Sequence, residues 1–242
     1  MIPSRVIRTA HRWLGLLFAV LVLAAAGSGA LHTLMSMGQP PPPPPPPNRL
    51  GTCIAGAKIG PAEAAAKAVG AGETIAAITL IEIDGRPWYR LRVRNEAVPR
   101  YVAADTGGRD DTADDRYAAR IASAYVRGAP VRKTAVLTAY DNEYIAIFRQ
   151  LPVSRFDVGD AGHTRLYVST DTGSVARATD DGKQFEATVF GLVHKYMFIH
   201  AKGPRDLAML AAMSGIALAS LTGIVLFFLT RPRRSPDRKS HV

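Results

Sequence analysis

Four of the six histidines, His11, His32, His194 and His200, lie at or near the apolar ends of the chain, and imidazole is the side chain here with most capacity for chemistry. A neutral imidazole is a good ligand for iron and other transition metals. Shared ligation requires two rings at one depth of the structure. On a single helix His11 and His32 stand about 31 Å apart at 1.5 Å per residue, so they cannot hold one ion. His194 and His200 project about 120° apart on a regular helix, so at most one of them faces a shared site. Gly203-Pro204 breaks the chain after them. Phe190 to Ala201 is therefore expected to fold back as an interfacial helix that sets His194 beside His32. The plain alternative is that these are ordinary side chains at helix ends. His163, in a glycine-containing turn, and His241, in the C-terminal tail, are expected to be solvated.

A second constellation is basic. Arg86 to Arg94 alternates, with Pro87, Tyr89, Leu91 and Val93 on one side and Arg86, Trp88, Arg90, Arg92 and Arg94 on the other. One sheet face is expected to be buried and the other basic. That basic face is either a solvated surface or a partner patch formed by Trp88, Arg90, Arg92 and Arg94. Asp105 and Asp171 are acid candidates, but they occupy equivalent turns of a repeat, which accounts for them structurally. Asp110, Asp111, Asp114 and Asp115 sit near a helix start, where carboxylates favour the positive dipole end, and their spacing fits no calcium loop. The sequence has no phosphate loop, nucleophile elbow or zinc signature. Its one cysteine, Cys53, excludes an intrachain disulfide, covalent haem through Cys-x-x-Cys-His and a thiolate-rich metal site.

These residues are positioned by two apolar segments at the chain ends. Residues 13–35 and 205–229 are each long enough to cross a hydrocarbon core of about 30 Å. Arg5, Arg8 and Arg12 precede the first, and Arg231, Arg233, Arg234, Arg238 and Lys239 follow the second. The positive-inside rule then leaves both termini in the cytoplasm and the intervening chain on the far side. The first apolar run exceeds the core of a signal peptide and is expected to be retained. The formal net charge of +10 comes largely from the flanks, which points to topology and anionic lipid; no nucleic-acid motif is present.

Between the spans, Pro40 to Pro47 is expected to be an extended polyproline spacer of about 25 Å at 3.1 Å per residue. An internal repeat follows. Tyr101-Val102-Ala103-Ala104-Asp105-Thr106-Gly107 recurs 66 residues later as Tyr167-Val168-Ser169-Thr170-Asp171-Thr172-Gly173, with five of seven positions identical. Before the first copy come a helix at Pro61–Val69 and strands at Ala76–Ile83 and Arg86–Arg94, joined by Asp84-Gly85, a strong hairpin signal. Before the second come a helix at Asp114–Val126 and strands at Ala135–Tyr140 and Glu143–Arg149, joined by Asp141-Asn142. Each unit reads as a helix with a three-stranded antiparallel meander, and two units together make a plausible core.

The order of these segments resembles the PepSY-associated transmembrane family. His11-Arg12-Trp13-Leu14-Gly15-Leu16 is similar to that family's first-helix entry. Leu221-Thr222-Gly223-Ile224-Val225-Leu226 is similar to its last helix, and Leu192-Val193-His194-Lys195-Tyr196 to the histidine segment ahead of it. The resemblance implies a membrane α+β fold in a bacterial inner membrane. Its parts are a cytoplasmic tail (1–12), a first span (13–35), a proline-rich linker (36–58), PepSY-like units at 59–108 and 109–180, an interfacial segment (181–204), a second span (205–229) and a basic cytoplasmic tail (230–242). The domain would be periplasmic.

Members with more membrane helices are linked to siderophore-iron reduction and b-type haem. The resemblance therefore implies a haem-b-linked electron-transfer component, with His32 and His194 as iron ligands, His200 as the other interfacial candidate, and His11 completing a site only with a second subunit. The PepSY unit is also associated with binding and protease inhibition, which implies a non-enzymatic anchored module serving a periplasmic protein or a siderophore. Ala211, Gly215, Ala219 and Gly223 form a small-residue stripe at four-residue intervals, and Ala25 and Gly29 share that interval. The stripe suits the helix hairpin, a homodimer, or both.

Overall fold

The computed structural model describes residues 4–38 and 54–230. The proline run Pro40–Pro47, Cys53, His241 and the basic tail lie outside them. The described chain forms two compact units, one from its two ends (4–38 and 185–230) and one from its middle (54–184).

The unit built from the ends contains helix α1 (Ser4–Met37) and helix α5 (Lys202–Thr230). Both are long and apolar enough to cross a membrane. Their apolar side chains point outward: Trp13, Leu16, Leu17, Val20 and Leu23 are 65–72 % exposed. An exposed apolar surface of this size is compatible with insertion of both helices in a membrane. The helices run antiparallel. The Phe18 ring lies against Gly215, and His11 lies against Gly223, where an added Cβ would stand 2.9 Å from the His11 ring. Two positions of the small-residue stripe are thus taken up inside the hairpin. Pro204 does not break the chain as expected; it sits in the first turn of α5, where its missing N–H would have no helical partner in any case.

The middle unit is α+β, with two antiparallel sheets. Helix α2 (Pro61–Ala68) precedes strands β1 (Ile75–Ile83), β2 (Arg86–Val93) and β3 (Arg100–Ala103). The Asp84-Gly85 hairpin forms as read, with φ of 53° and 76° at its two residues. Helix α3 (Ala113–Tyr125) follows, then β4 (Val131–Leu137), β5 (Val153–Val158), β6 (Arg165–Ser169) and β7 (Ser174–Thr179). The second sheet departs from the expected meander. It has four strands in the order β4-β5-β6-β7. No strand covers Glu143–Arg149: Asp141 accepts hydrogen bonds from the amides of Glu143 and Tyr144, and a 3-10 turn spans Ala146–Phe148. The partner of β4 is β5, beyond that excursion.

One core joins the two units of the repeat. Ile83, Trp88, Tyr101 and Ala103 from the first sheet meet Tyr117, Ala118, Ile121 and Ala122 of α3 and Phe156, Val158, Leu166 and Val168 of the second. The outer face of the first sheet is closed by Ala64 and Ala68 of α2 against Tyr89, Leu91 and Val102. The outer face of the second is closed by Tyr144 and Phe148 of the excursion, against Val153 and Tyr167.

Helix α4 (Asp181–Val189) leaves the second sheet and runs into one π-helical turn, Phe190–His194. Of the helix expected over Phe190–Ala201 only the turn Phe190–His194 forms, and the helical stretch begins earlier, at Asp181. Gly191 permits the tight turn that follows, since a Cβ there would stand 2.7 Å from the Met197 sulfur.

Candidate functional site

Glu186, Phe190 and His194 recur every four residues, so they fall on one side of the segment that carries them. They meet α1 there. His32 Nδ1 contacts the Glu186 carboxylate, and His194 Nδ1 lies 3.4 Å from Ser28 Oγ. Phe190 touches both imidazoles: its ring stacks on His194 with centroids 4.5 Å apart, and it lies 5.8 Å from His32. Lys195 Nζ stands 5.4 Å from the Phe190 ring centroid. His32 and His194 thus gather around one phenyl ring. His200 is exposed ahead of α5 and has no part in these contacts.

His11 is at the other end of the hairpin. Its Nδ1 lies 3.0 Å from the Ala219 carbonyl oxygen and 3.1 Å from Thr222 Oγ1. A carbonyl only accepts, so the bonded tautomer carries its proton on Nδ1. Thr222 Oγ1 donates to the same carbonyl at 2.8 Å.

Two histidines hold one haem iron when their nitrogens oppose each other across an open apolar slot. Here Phe190 packs on both rings, and a macrocycle between them would have to displace it. Each Nδ1 is engaged, one by Glu186 and one by Ser28, which leaves Nε2 as the nitrogen for a ligand, so Phe190 is the obstacle. The residues present do not fit haem b in this arrangement. Among the described residues no group of three His, Cys, Asp or Glu side chains is placed to hold a metal ion.

The basic face of β2 is not the open surface expected from its alternation. Trp88 is 5 % exposed, inside the shared core. The Arg86 and Arg116 guanidinium carbons stand 5.7 and 5.5 Å from its ring centroid. Arg90 is half-buried and donates to the Thr170 carbonyl oxygen, while Arg92 pairs with Asp171. The physical reason is that the second copy covers this face, and both contacts end in its Thr170-Asp171 turn. Arg94 alone of the four stays exposed without an ion-pair partner among the described residues. Asp105 accepts from Arg86 at 2.9 and 3.0 Å. Desolvation acts to raise its carboxyl, and the guanidinium overrides that and holds it below the usual carboxylate range.

The sequence reading missed a cleft of about 530 Å³ at the β4-β5 side of the second sheet. Arg132, Arg155, Asp157, His163, Arg165 and Asp181 line it. Arg165 is committed to Glu143 at 2.8 Å and Asp181 at 2.6 Å, and His163 Nδ1 reaches Asp181 at 2.7 Å. Its signal in the sequence is the alternation of Arg155 and Asp157 with Ser154, Phe156 and Val158 along β5. No protein-family model, curated protein or solved structure matches the chain.

Proposed function

We propose that the chain is a non-enzymatic binding module, held on a bacterial inner membrane by a two-helix anchor, with its double PepSY-like domain in the periplasm and both termini in the cytoplasm. Arginines outside both apolar helices support this orientation. The observation that carries the binding role is the cleft. It is bordered by three arginines and one histidine against two aspartates. Arg132 is its freest cation: its side chain is 80 % exposed, and its ion-pair partner Asp157 stands at 3.6 Å. A periplasmic protein presenting a carboxylate-bearing segment matches that chemistry.

A photoreactive amino acid at Arg132 should capture such a protein in intact cells, and the same group at Lys67, on α2, should not. Equal capture at both positions would remove the cleft from the argument. Haem-b-linked electron transfer is the competing reading, motivated by His32 and His194 sharing Phe190. The visible spectrum of detergent-purified full chain, expressed with ample haem, separates the two. The binding module predicts no Soret band. A band that weakens or shifts in both His32→Ala and His194→Ala would replace it with the electron-transfer role.

A further inference from the structure

The backbone of β1 is bonded on one side only. Pro87 has no N–H, and its carbonyl oxygen receives the Ala104 amide at 2.9 Å, so Pro87, Tyr89 and Leu91 turn their peptide groups toward β3. Trp88, Arg90 and Arg92 turn theirs toward β1. In the observed register these oppose Ile81, Thr79 and Ala77. The alternation of an antiparallel ladder then sends the N–H and C=O of Ile78, Leu80 and Glu82 out of the sheet edge.

Two features bound this edge. The outward carbonyl of Glu82 is occupied by Arg120 Nη1 at 2.9 Å. At the other end the register slips between Ile75 and Ala77. Between these limits no strand, loop or side chain among the described residues bonds Ile78 or Leu80 on the outer side. The free run is Ala77-Ile78-Thr79-Leu80-Ile81, and its midpoint is Thr79.

The other edges are managed. The outer side of β3 is covered by its own chain, with Ala103 N–H donating to Gly108 O at 2.8 Å and Asp110 N–H to Tyr101 O at 3.1 Å. Edge strand β4 carries Arg132 and Lys133 and a register slip between Lys133 and Ala135, and edge strand β7 carries Arg177 and a slip between Val175 and Arg177. The free run of β1 has no charge, no proline and no slip, the profile of a strand that accepts a partner.

We propose that β1 is a self-association site. Two copies of the chain pair antiparallel through it about a two-fold axis at Thr79, joining their three-stranded sheets into one of six strands. In that register Ile78 opposes Leu80 of the second copy as a hydrogen-bonded pair, and the axis repeats the pair, giving about four new backbone bonds. Ala77 opposes Ile81, and Thr79 opposes Thr79. Apolar faces apolar throughout, and the one acidic residue of the strand, Glu82, falls opposite Ala76 rather than its own copy. Moving the axis to Ile81 sets bonds on the carbonyl that Arg120 occupies, and moving it to Ala77 sets them on the slip. An axis at Ile78 would bring Ala76 of the slip into the bonded pairs and one at Leu80 would bring in Glu82, so Thr79 is the axis that leaves both limits clear, which selects a second copy over an arbitrary strand. Anchoring of both copies in one bilayer would raise their effective concentration.

Opposed residues that do not hydrogen-bond have Cα atoms about 4.5 Å apart, within disulfide range. The test uses the full chain in membranes with Cys53→Ser throughout and copper-phenanthroline as oxidant. Thr79→Cys should yield a disulfide-linked dimer, and Thr134→Cys, exposed on β4, should stay monomeric. Ala77→Cys and Ile81→Cys co-expressed should crosslink to each other, and each alone should not. Ile78→Lys should abolish the Thr79→Cys dimer while leaving the thermal midpoint unchanged. If Ile78→Lys fails to fold, the cysteine comparisons still decide. Equal crosslinking at Thr79→Cys and Thr134→Cys, or none at Thr79→Cys, overturns the proposal.

Discussion

The two copies of the strand unit close their outer sheet faces by different means. The first uses a regular helix, α2, whose Ala64 and Ala68 let it approach Tyr89 and Leu91 closely. The second has no helix there; the chain between β4 and β5 folds its aromatic residues over the sheet instead. Tyr144 stacks on Phe148 and Tyr167 with centroids 5.2 and 4.7 Å away, and the Arg177 guanidinium carbon stands 4.6 Å from the centre of Phe148. The inner faces, by contrast, share α3 and one core. By the repeat, α3 is the counterpart of α2, since Phe156 and Val168 beneath it match Leu91 and Val102, so the two copies turn opposite faces of the duplicated unit toward the shared core.

The largest effect should come from the shared face. Trp88 is the bulkiest contribution of β2 to that core, and the strand register places Val153 at the matching point of the second copy, where it faces the outer aromatic cluster instead. Trp88→Ala should cost about 3–5 kcal/mol and Val153→Ala about 2 kcal/mol in thermal unfolding. Equal losses would mean that the two faces are not distinguished in this way.

The repeated turns give the next comparison. Gly107 and Gly173 have φ of 76° and 64°, so a side chain is strained at either. At Gly173 a Cβ would also stand 2.7 Å from the Tyr117 hydroxyl oxygen, whereas at Gly107 it would meet the end of the Lys67 chain, which can move aside. Gly173→Val should lose about 2–4 kcal/mol and Gly107→Val about 1–2 kcal/mol, read as midpoint shifts. A reversal of that order would show that Tyr117 yields more easily than its place in the core implies.

Arginines on β2 provide a smaller contrast. Arg90 reaches across the copies to a carbonyl and is half-buried, so Arg90→Ala should cost about 1.5–3 kcal/mol. Arg86 pairs with Asp105 inside one copy at the surface, and Arg86→Ala should cost about 0–1 kcal/mol. Matching values in denaturant titrations would remove the distinction between bonds across and within copies.

The smallest effect concerns acid. The Arg100 guanidinium, at 2.7 Å, holds the Glu73 carboxyl at about 2, below its ordinary 4.5. A depressed carboxylate contributes stability that is full above its unfolded value and lost as pH falls through its folded one. Glu73→Gln should therefore flatten the decline in stability between about pH 4.5 and about pH 2. Superimposable wild-type and variant curves in that window would dismiss the pair as a contributor.

Local signals in the sequence were read correctly where one mechanism controlled the outcome. Asp84-Gly85 specified its turn because both positions take positive φ, and the Asp-Thr-Gly repeat marked its two glycines. Asp141-Asn142 carried the same surface signal without the same result, because Asp141 caps the amides after it and Tyr144 is drawn into an aromatic cluster that no local pattern announces. Alternation in β2 sorted its residues onto the right two sides. It gave no means of knowing that both sides are covered, since a strand with an arginine-rich face looks solvated until its second copy is in place. The candidate histidines were harder still. Their partners Ser28 and Glu186 are about as far from them in sequence as the domain is long, and only the four-residue spacing of Glu186, Phe190 and His194 hinted at the cluster.

The bond from His11 to Ala219 joins residues 208 positions apart. In a bilayer this has a consequence for biogenesis. At about 5–20 residues per second, the ribosome needs roughly 10–40 s after making His11 to supply its acceptor. For a hairpin that inserts as it is made, α1 is a lone span throughout that interval, and its imidazole lacks the carbonyl that later binds it. The hairpin is therefore zipped only once α5 has been made, long after α1 has left the ribosome.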